Sequence, residues 1–255
     1  FHATALWYNR CMQELADPAR TFGLDLSPSQ LNAFEFYWRE LSEWNARVNL
    51  TAIVDREQVV VKHFMDSLSI APLLRGAGAA PSLVDIGSGA GLPGLALKIA
   101  LPKLRVTLVD ATRKKVDFLQ HMIAELGLQD ISAIQARAED LAHDPAHRER
   151  YDFAVARAVA DLVVLLEYTL PFVKIGGAFI AQKGIQVEDE IHRAGPALQA
   201  LGGQVRASIP VQLPGLEPRH LVVVDKIAAT PLTYPRRAGI PERKPISGGG
   251  DPSGF

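Results

Sequence analysis

The chain is predicted to fold as an α/β protein with an open, mostly parallel sheet and helices on both faces. From Ser82 onward, short apolar runs alternate with segments of helical periodicity, which is typical of β-α-β units. The first apolar run stops at a cluster of glycines and is followed by helical spacing, as at a strand-turn-helix junction. The last two runs have no helix between them, so we expect an antiparallel pair at one edge of the sheet.

The elements of the sheet follow in order along the chain. Apolar runs predict five parallel strands at Leu83–Ile86, Leu104–Val109, Ile131–Gln135, Tyr151–Ala156 and Ala178–Gln182. The clearest helix spans Lys114–Leu126 and ends at Gly127. A later helix at 187–201 precedes the two edge strands, Val205–Leu213 and Leu221–Val224. Right-handed crossovers then place helices on both faces.

The first part of the chain, residues 1–75, is predicted to be a helical extension of the sheet domain at 76–228. Ser27 is the expected N-cap of a helix, with Pro28 at its first position and Gln30 completing a capping box. A second helix is expected to begin at Asp55 and to bury a stripe of residues over 59–74.

The C-terminal part, residues 229–255, has a different composition. Prolines interrupt it, and it is basic because of Arg236, Arg237, Arg243 and Lys244. We expect this tail to add no core element, and residues 247–255 to be disordered. Two interpretations stay open, a solvated extension and an arm that contacts RNA phosphates.

The glycine-rich turn fits two ligand patterns. Gly89-x-Gly91-x-x-Gly94 fits the pattern of dinucleotide sites, whereas Gly87-x-Gly89-x-Gly91 fits that of S-adenosylmethionine enzymes. Asp85 ends the preceding strand, where a carboxylate repels a pyrophosphate and attracts an ammonium group. S-adenosylmethionine has such a group, so Asp85 favours it over NAD. A packing turn without a ligand is the alternative.

Two further acids end or follow strands. Asp110 lies about 20 residues after Gly87, where an acid binds ribose hydroxyls in both classes of cofactor. Glu139 follows the third strand and is a candidate acceptor for an adenine amino group, with the backbone N–H of Ala138 on a ring nitrogen. A carboxylate that only stabilises a helix N-terminus is the alternative for Glu139.

Several basic residues are expected around the same crevice. Arg157 ends the fourth strand, where a cation binds a carboxylate or steers a phosphate, with a structural salt bridge as the alternative. Lys62 and His63 are candidate substrate contacts, although a lone histidine more often serves packing. The remaining candidates for an anion-binding patch are Lys114, Lys115, Lys183 and Arg219.

Composition excludes several other classes of protein. The single cysteine, Cys11, excludes an intramolecular disulfide, and no apolar run reaches the roughly 18 residues of a membrane span. The scattered histidines lack metal-ligand spacing, so no metal is expected. A net charge of −1 argues against indiscriminate coating of nucleic acid. The N-terminal residues lack a signal pattern, so we expect a cytoplasmic protein.

Together, several motifs resemble the glucose-inhibited division protein B family, also called ribosomal RNA small subunit methyltransferase G. The resemblance runs from about Phe34 to Pro245 and is weak before it. Its motifs are Trp44-Asn45-x-x-x-Asn49-Leu50-Thr51, Lys62-His63-x-x-Asp66-Ser67, the turn from Asp85 to Gly94, Arg157-Ala158, Lys183-Gly184, Arg219-His220-Leu221-Val222-Val223 and Tyr234-Pro235-Arg236-Arg237.

The resemblance implies a class I S-adenosylmethionine-dependent methyltransferase with a Rossmann-like sheet. It implies transfer of a methyl group to N7 of one guanosine in a loop of 16S rRNA, with S-adenosylhomocysteine as product. It also carries cofactor contacts onto Gly87, Leu92, Asp110, Ala111, Thr112, Ala138, Glu139 and Arg157.

These roles lead to a simple expected mechanism. Guanine N7 presents an unprotonated lone pair, so no general base is expected and catalysis is mainly orientation. Arg157 and His63 are the candidate orienting residues, and Lys62, Lys114, Lys115, Lys183, Arg219, Arg236 and Arg237 are the candidate RNA contacts. The expected partner is small-subunit rRNA or the subunit particle, bound by a monomer.

Three other functions stay open at this point. The first is a methyltransferase for a small molecule or a protein. The second is a noncatalytic S-adenosylmethionine-binding module in ribosome assembly. An NAD-linked oxidoreductase is the third.

Overall fold

The computed structural model describes residues 12–157 and 160–247. Its strands are β1 (Ser82–Ile86), β2 (Arg105–Asp110), β3 (Ile131–Gln135), β4 (Tyr151–Arg157), β5 (Val173–Lys183), β6 (Gly203–Val211) and β7 (Arg219–Lys226). They form one seven-stranded sheet of order β3-β2-β1-β4-β5-β7-β6. Strands β1 to β5 are parallel, and β7 is antiparallel to both β5 and β6. The predicted sheet and its antiparallel edge are confirmed.

Helices precede the sheet and connect its strands. The α-helices are α1 (Ala16–Thr21), α2 (Pro28–Val48), α3 (Arg56–Val59), α4 (Asp66–Leu68), α5 (Gly94–Ala100), α6 (Arg113–Glu125), α7 (Ala138–Leu141), α8 (Leu162–Thr169), α9 (Val187–Arg193), α10 (Gly195–Leu201) and α11 (Ile240–Arg243). Short 3₁₀ segments lie at Gln13–Leu15, Ala71–Leu74 and Leu170–Phe172. Among the described residues, no helix has the length and apolar content needed to cross a bilayer.

The N-terminal helices cover one face of the sheet. The Ser27 capping box starts α2 as predicted, and the Gln30 side chain also donates to the carbonyls of Ile99 and Ala100 at the end of α5. Phe34 and Phe64 pack with ring centroids 4.9 Å apart in the core of this face. Burial of such aromatic side chains joins the extension to the sheet domain. The opposite face has its own core, to which α8 and α10 contribute.

Two predicted helices are divided in the structure. The helix expected over 59–74 is α3, then a π-helix at Val60–Met65, then α4 and a 3₁₀ turn. The helix expected over 187–201 breaks at Ala194 into α9 and α10, because Pro196 has no N–H for the hydrogen bond that would continue α9.

The tail packs on the domain, so the expectation that it adds nothing to the core is wrong for residues 230–247. Tyr234 and Ile246 pack against the second core, and Pro235 and Pro241 are buried. Arg148 donates to the carbonyls of Thr230, Pro231 and Tyr234. Prolines prevent a regular hydrogen-bond ladder, but they leave side chains free to pack and carbonyls free to accept from Arg148. The disorder expected for residues 247–255 falls, apart from Ser247, outside the described residues.

Candidate functional site

The loop between β1 and α5 carries the three glycines of the predicted turn. Gly87, Gly89 and Gly91 have φ values of 72°, 56° and 93°, a region that other residues rarely adopt. A Cβ atom at Gly91 would also lie 2.8 Å from the hydroxyl oxygen of Tyr37. The Tyr37 hydroxyl donates to the carbonyl of Ala90, so helix α2 supports the loop from behind. A bare backbone held in this way lets a ligand approach closely.

Asp85, at the end of β1, is fully buried beside this loop. Its Oδ2 accepts the backbone N–H of Gly94 at 2.8 Å, whereas Oδ1 is buried without a hydrogen-bond partner among the described residues. Burial raises the pKa of Asp85 to about 7, although the Gly94 N–H and the charge of Arg157 lower it. A buried acceptor without a donor suits a ligand that has an ammonium group.

Asp110, at the end of β2, ties the loop to the neighbouring strand. Its Oδ2 accepts the N–H of Gly89 at 2.9 Å, and Oδ1 accepts the N–H of Thr112 at 2.8 Å. Carboxylate oxygens accept more than one hydrogen bond, so capacity for ribose hydroxyls remains. Lys115 Nζ lies 3.8 Å from Oδ2, which places this predicted RNA contact beside an acid of the crevice. Leu92 is buried, and Ala111 is exposed in the turn before Thr112.

Glu139 lies in the single turn α7, which follows β3, and it is buried next to Ala138. Its Oε1 accepts the backbone N–H of Gly239, at 3.1 Å, from the C-terminal tail. Neither interpretation from the sequence included this contact, because the two residues are 100 positions apart. We call the group of Asp85, the loop 87–91, Asp110 and Glu139 the glycine crevice.

A second group of polar residues surrounds Asp66, which is 2% exposed in α4. Arg157, at the end of β4, donates through Nη1 to Asp66 Oδ2 at 3.1 Å and to the carbonyl of Lys62 at 3.0 Å. The Nε of Arg219 lies 3.7 Å from Asp66 Oδ1. Burial raises the pKa of Asp66, and the two guanidinium groups oppose this shift. The salt bridge considered as the alternative for Arg157 is therefore present.

His63 and Gln182 complete this group. His63 Nε2 lies 2.9 Å from the Thr51 hydroxyl oxygen. Burial and the nearby charge of Arg157 lower the pKa of His63 to about 4, so the imidazole is neutral at pH 7. Gln182 donates through Nε2 to the carbonyl of Asp66 at 2.8 Å, while its Oε1 is buried without a partner among the described residues. We call Asp66, His63, Arg157, Gln182 and Arg219 the Asp66 cluster.

Sequence reasoning assigned no separate role to Thr51, Asp66 or Gln182. Thr51 and Asp66 lie within the motifs that carried the family resemblance, whereas Gln182 has only its position as a signal. Gln182 is the register partner of Arg157 at the carboxyl ends of the parallel strands β4 and β5. Ligands of open α/β sheets bind at this edge, so a polar residue there was a detectable candidate.

Two of the predicted RNA contacts are paired with carboxylates in the structure. Lys183 was expected to contact RNA, but its Nζ lies 2.6 Å from Glu190 and donates to the carbonyl of Ala160 at 2.8 Å. Arg236 was expected to do the same, but its guanidinium pairs with the buried Glu167 at 2.6 Å. In each case a neighbouring carboxylate already pairs with the cation, which weakens the argument for a phosphate contact at Lys183 and Arg236.

The other predicted RNA contacts are more accessible. Lys62 is half-buried, and its Nζ donates to the Gln58 side chain at 2.9 Å. Lys114 and Arg237 are exposed and form no ion pair with any described residue. Arg219 is 38% exposed and belongs to the Asp66 cluster.

The two groups can divide one reaction between them. The glycine crevice lies at the carboxyl ends of β1 and β2 and has an acceptor for an ammonium group. The Asp66 cluster lies at the carboxyl ends of β4 and β5 on the same edge of the sheet. It contains a guanidinium group paired with a buried carboxylate and a neutral imidazole, a combination suited to orienting a second molecule without removing a proton.

Comparisons with known proteins show the family to which the chain is similar. The family profile of rRNA small subunit methyltransferase G matches residues 30–221. Proteins called ribosomal RNA small subunit methyltransferase G from Roseiflexus castenholzii and Acetivibrio thermocellus are 51% and 45% identical to the chain. The first alignment covers 92% of this chain and 100% of the relative, and the second covers 91% and 96%.

A solved structure supports the fold. A variant of a 16S rRNA adenine N1-methyltransferase from Catenulisporales acidiphilia superposes with a TM-score of 0.50 at 16% identity, over 60% of this chain and 88% of that one. At this identity the likeness concerns the fold alone, and it agrees with the class I methyltransferase architecture. With a family profile over most of the sheet domain and relatives of 45% and 51% identity along nearly their whole lengths, the chain belongs to the rRNA small subunit methyltransferase G family.

Proposed function

We propose that this protein transfers the methyl group of S-adenosylmethionine to N7 of a specific guanosine in a loop of 16S rRNA and releases S-adenosylhomocysteine. The observation that carries the proposal is the buried, unpartnered Oδ1 of Asp85 beside three glycines of positive φ, in a chain of this family. A site with this geometry fits a ligand that has an ammonium group and no pyrophosphate.

The residues of the glycine crevice would hold the donor. Asp85 would bind the α-ammonium group, Asp110 the ribose hydroxyls, and Glu139 with the Ala138 N–H the adenine. The glycine loop offers backbone in place of side chains, and Leu92, Ala111 and Thr112 lie along the same edge. When bound, S-adenosylmethionine supplies a methyl group on a sulfonium centre, which is open to attack by a lone pair.

The Asp66 cluster would hold the guanine. Its N7 is an unprotonated acceptor at neutral pH, so the protein needs to orient the base and not to deprotonate it. Asp66 holds the guanidinium group of Arg157 by a hydrogen bond and lies 3.7 Å from Nε of Arg219, and a donor held in place orients an acceptor at small entropic cost. His63 is neutral at pH 7 and can act there as a polar contact. A base in a loop is accessible to such a site, whereas a paired base is not.

The accessible cations would bind RNA phosphates. Lys114 and Arg237 are exposed, and Lys62 and Arg219 are half-buried, so a phosphate can reach each of them and all four keep this role in the proposal. Phosphate contacts fix the position of the RNA, while the crevice selects the base. We also propose that the protein acts as a monomer in the cytoplasm, which light scattering and fractionation would test.

The test of the proposal is methylation of small ribosomal subunits that lack their own methyl groups. The protein and labelled S-adenosylmethionine are incubated with the particles or with the naked rRNA, and mass spectrometry of nuclease digests locates the label. Label at N7 of a single guanosine is the expected result. Donor binding without label on RNA would favour a noncatalytic binding module. Label on a protein or a small molecule would show that the methyl acceptor is not rRNA.

A further inference from the structure

Two buried glutamates, Glu167 and Glu139, both accept hydrogen bonds from the C-terminal tail. Glu167 in α8 is 1% exposed, and its carboxylate accepts four hydrogen bonds from Arg236. These come from the Arg236 backbone N–H at 2.7 Å, from Nε at 2.9 and 3.3 Å, and from Nη2 at 2.6 Å. A two-pronged contact of this kind fixes the backbone as well as the side chain of Arg236.

The surroundings of this pair are acidic. Burial raises the pKa of Tyr168, and the negative charges of Glu139, Glu242 and Glu167 raise it further. The Tyr168 hydroxyl donates to Glu242 Oε1 at 3.3 Å. Glu139 and Glu167 are both buried, and two buried carboxylates repel each other. Arg236 supplies the positive charge that pairs with Glu167, at 2.6 Å.

The tail reaches Glu139 three residues after Arg236. There the N–H of Gly239 donates to Glu139 Oε1 at 3.1 Å. Gly239 has a φ of 77°, and the N–H of Ile240 donates to the carbonyl of Arg237, so a tight turn aims this N–H at the carboxylate. Oε2 of Glu139 makes no hydrogen bond with a described residue, which leaves one carboxylate oxygen for a donor from outside the chain.

We propose that the Glu167–Arg236 pair is a positioning device for the methyl donor: it anchors the tail so that Gly239 holds the Glu139 carboxylate in the orientation that accepts the adenine amino group. The inference rests on the proposed function, because it assumes that adenine binds at Glu139. It changes the role of Arg236, which the sequence had placed on RNA, to support of the cofactor site. The tail is then a wall of the crevice and not only an external arm.

A merely structural role for the pair makes a different prediction. If Glu167 and Arg236 only stabilised the tail, their loss would change the unfolding temperature and weaken every nucleoside ligand by the same factor. If they position Glu139, their loss removes discrimination between ligands that differ only in the 6-amino group. The ratio of two dissociation constants therefore separates the two roles.

The experiment uses the full-length protein and isothermal titration calorimetry with two ligands. One is S-adenosylhomocysteine, and the other is its analogue in which hydrogen replaces the 6-amino group of adenine. The wild-type protein is expected to prefer the first ligand by about tenfold, the effect of one hydrogen bond to a carboxylate. In Glu167→Gln we expect the preference to fall to about twofold or less, because the amide no longer holds the guanidinium on both sides.

Two further variants keep the result interpretable. Arg236→Lys retains the charge beside Glu167 and so protects the fold, but it loses the two-pronged contact, and its preference is expected to fall as well. Asp225→Asn removes the acid of an exposed ion pair with Arg206 on the β6–β7 edge, and it should keep the wild-type preference. Thermal unfolding of all four proteins reports their stability separately.

The outcomes are distinct. A tenfold preference that persists in Glu167→Gln and Arg236→Lys, or equal weakening of both ligands, overturns the inference and leaves the proposed function intact. A wild-type protein that binds both ligands equally also overturns it, because Glu139 then does not contact the amino group. Failure of the wild-type protein to bind S-adenosylhomocysteine would contradict the proposed function itself.

Discussion

The glycine crevice and the Asp66 cluster lie on the same edge of the sheet but are built in different ways. In the crevice, Asp85 contacts the N–H of Gly94 nine positions away, and Asp110 contacts the N–H of Gly89 across 21 positions. In the Asp66 cluster, Arg157 and Gln182 reach Asp66 across 91 and 116 positions. The contacts of Asp85 and Asp110 thus lie within one β-α-β unit, although Glu139 of the same crevice has a partner 100 positions away. The cluster is made of side chains that only the complete fold brings together.

This difference has an energetic consequence. Backbone groups of the crevice are held by strands and by neighbouring turns, so loss of one side chain there leaves the fold intact and removes a ligand contact. The cluster contains a buried carboxylate between two guanidinium groups, so loss of one member leaves a charge without a partner. A substitution in the cluster should therefore lower stability more than donor affinity, and a substitution in the crevice should lower donor affinity more than stability.

The largest effect on stability is expected for Asp66→Asn. The free energy of unfolding should fall by about 3 kcal/mol, because Arg157 is left partly buried without a counter-charge. Methyl transfer to RNA should fall with it, while the dissociation constant for S-adenosylhomocysteine stays within about twofold, the range we assign to an indirect contact. Urea unfolding and calorimetry measure the two quantities. Asp117→Asn, which opens the exposed pair with Arg113, is the control and should cost less than about 0.5 kcal/mol.

For Asp85→Asn we expect a large loss of donor affinity and no loss of stability. Donor affinity should fall about 100-fold, since the amide cannot pair with the ammonium group as a buried carboxylate does. Stability at pH 8 should not decrease, because the substitution removes a buried acid whose pKa is raised to about 7. Calorimetry and urea unfolding at pH 8 test both statements. An affinity within a fewfold of the wild-type value would show that the ammonium group binds elsewhere.

The pH dependence of the crevice follows from the same carboxyl group. Asp85 is protonated below about pH 7 in the free protein, so donor affinity should fall by up to about tenfold for each pH unit below 7. Stability of the free protein changes in the other direction. The folded pKa lies above the ordinary value of 3.8, so the contribution of Asp85 is fully present below pH 3.8 and is lost as the pH rises to 7.

The pH effect on affinity has two checks. Calorimetry in buffers of different ionisation enthalpy should detect release of a proton on donor binding at pH 6, and Asp85→Asn should abolish that release. A proton release that persists in Asp85→Asn would assign the titration to another group.

The smallest effect is expected at the basic surface. Lys114→Ala should make the plot of the logarithm of the RNA association constant against the logarithm of salt concentration less steep by about one unit of slope. We also expect a fewfold loss of affinity, because one phosphate contact is removed. Lys183→Met is the matched comparison, and we expect its slope to stay unchanged because Glu190 already neutralises this lysine. Equal changes in slope for the two variants would show that Lys183 also contacts an RNA phosphate.

Much of the architecture could be predicted from the sequence. Apolar runs between turn signals predicted the parallel strands, and the run pair without an intervening helix predicted the antiparallel edge. The glycine loop and Asp110 could be placed because their geometry depends on neighbours within one β-α-β unit. The helix predicted over 187–201 is too long, because apolar periodicity continues across Pro196 although the helix itself breaks at Ala194.

The partners of charged residues could not be predicted in the same way. Lys183 and Arg236 occur in basic or strand-end contexts that favour a phosphate contact, yet each lies beside a carboxylate from a distant part of the chain. Gln182 was overlooked because a single glutamine carries no periodic signal. The tail was judged by its prolines and charges, although Tyr234 and Ile246 contact the second core.

The amino-acid sequence by itself determined the class of fold, the succession of its strands along the chain, the glycine loop and the position of the acids at the strand ends. These features depend on local backbone preference and on the period of apolar residues, both of which act over a few positions. Only the tertiary structure decided which cations remain accessible, how Asp66 assembles its cluster, and that Gly239 contacts Glu139. Such contacts join residues that are distant along the chain, and packing of the whole domain brings them within hydrogen-bonding distance.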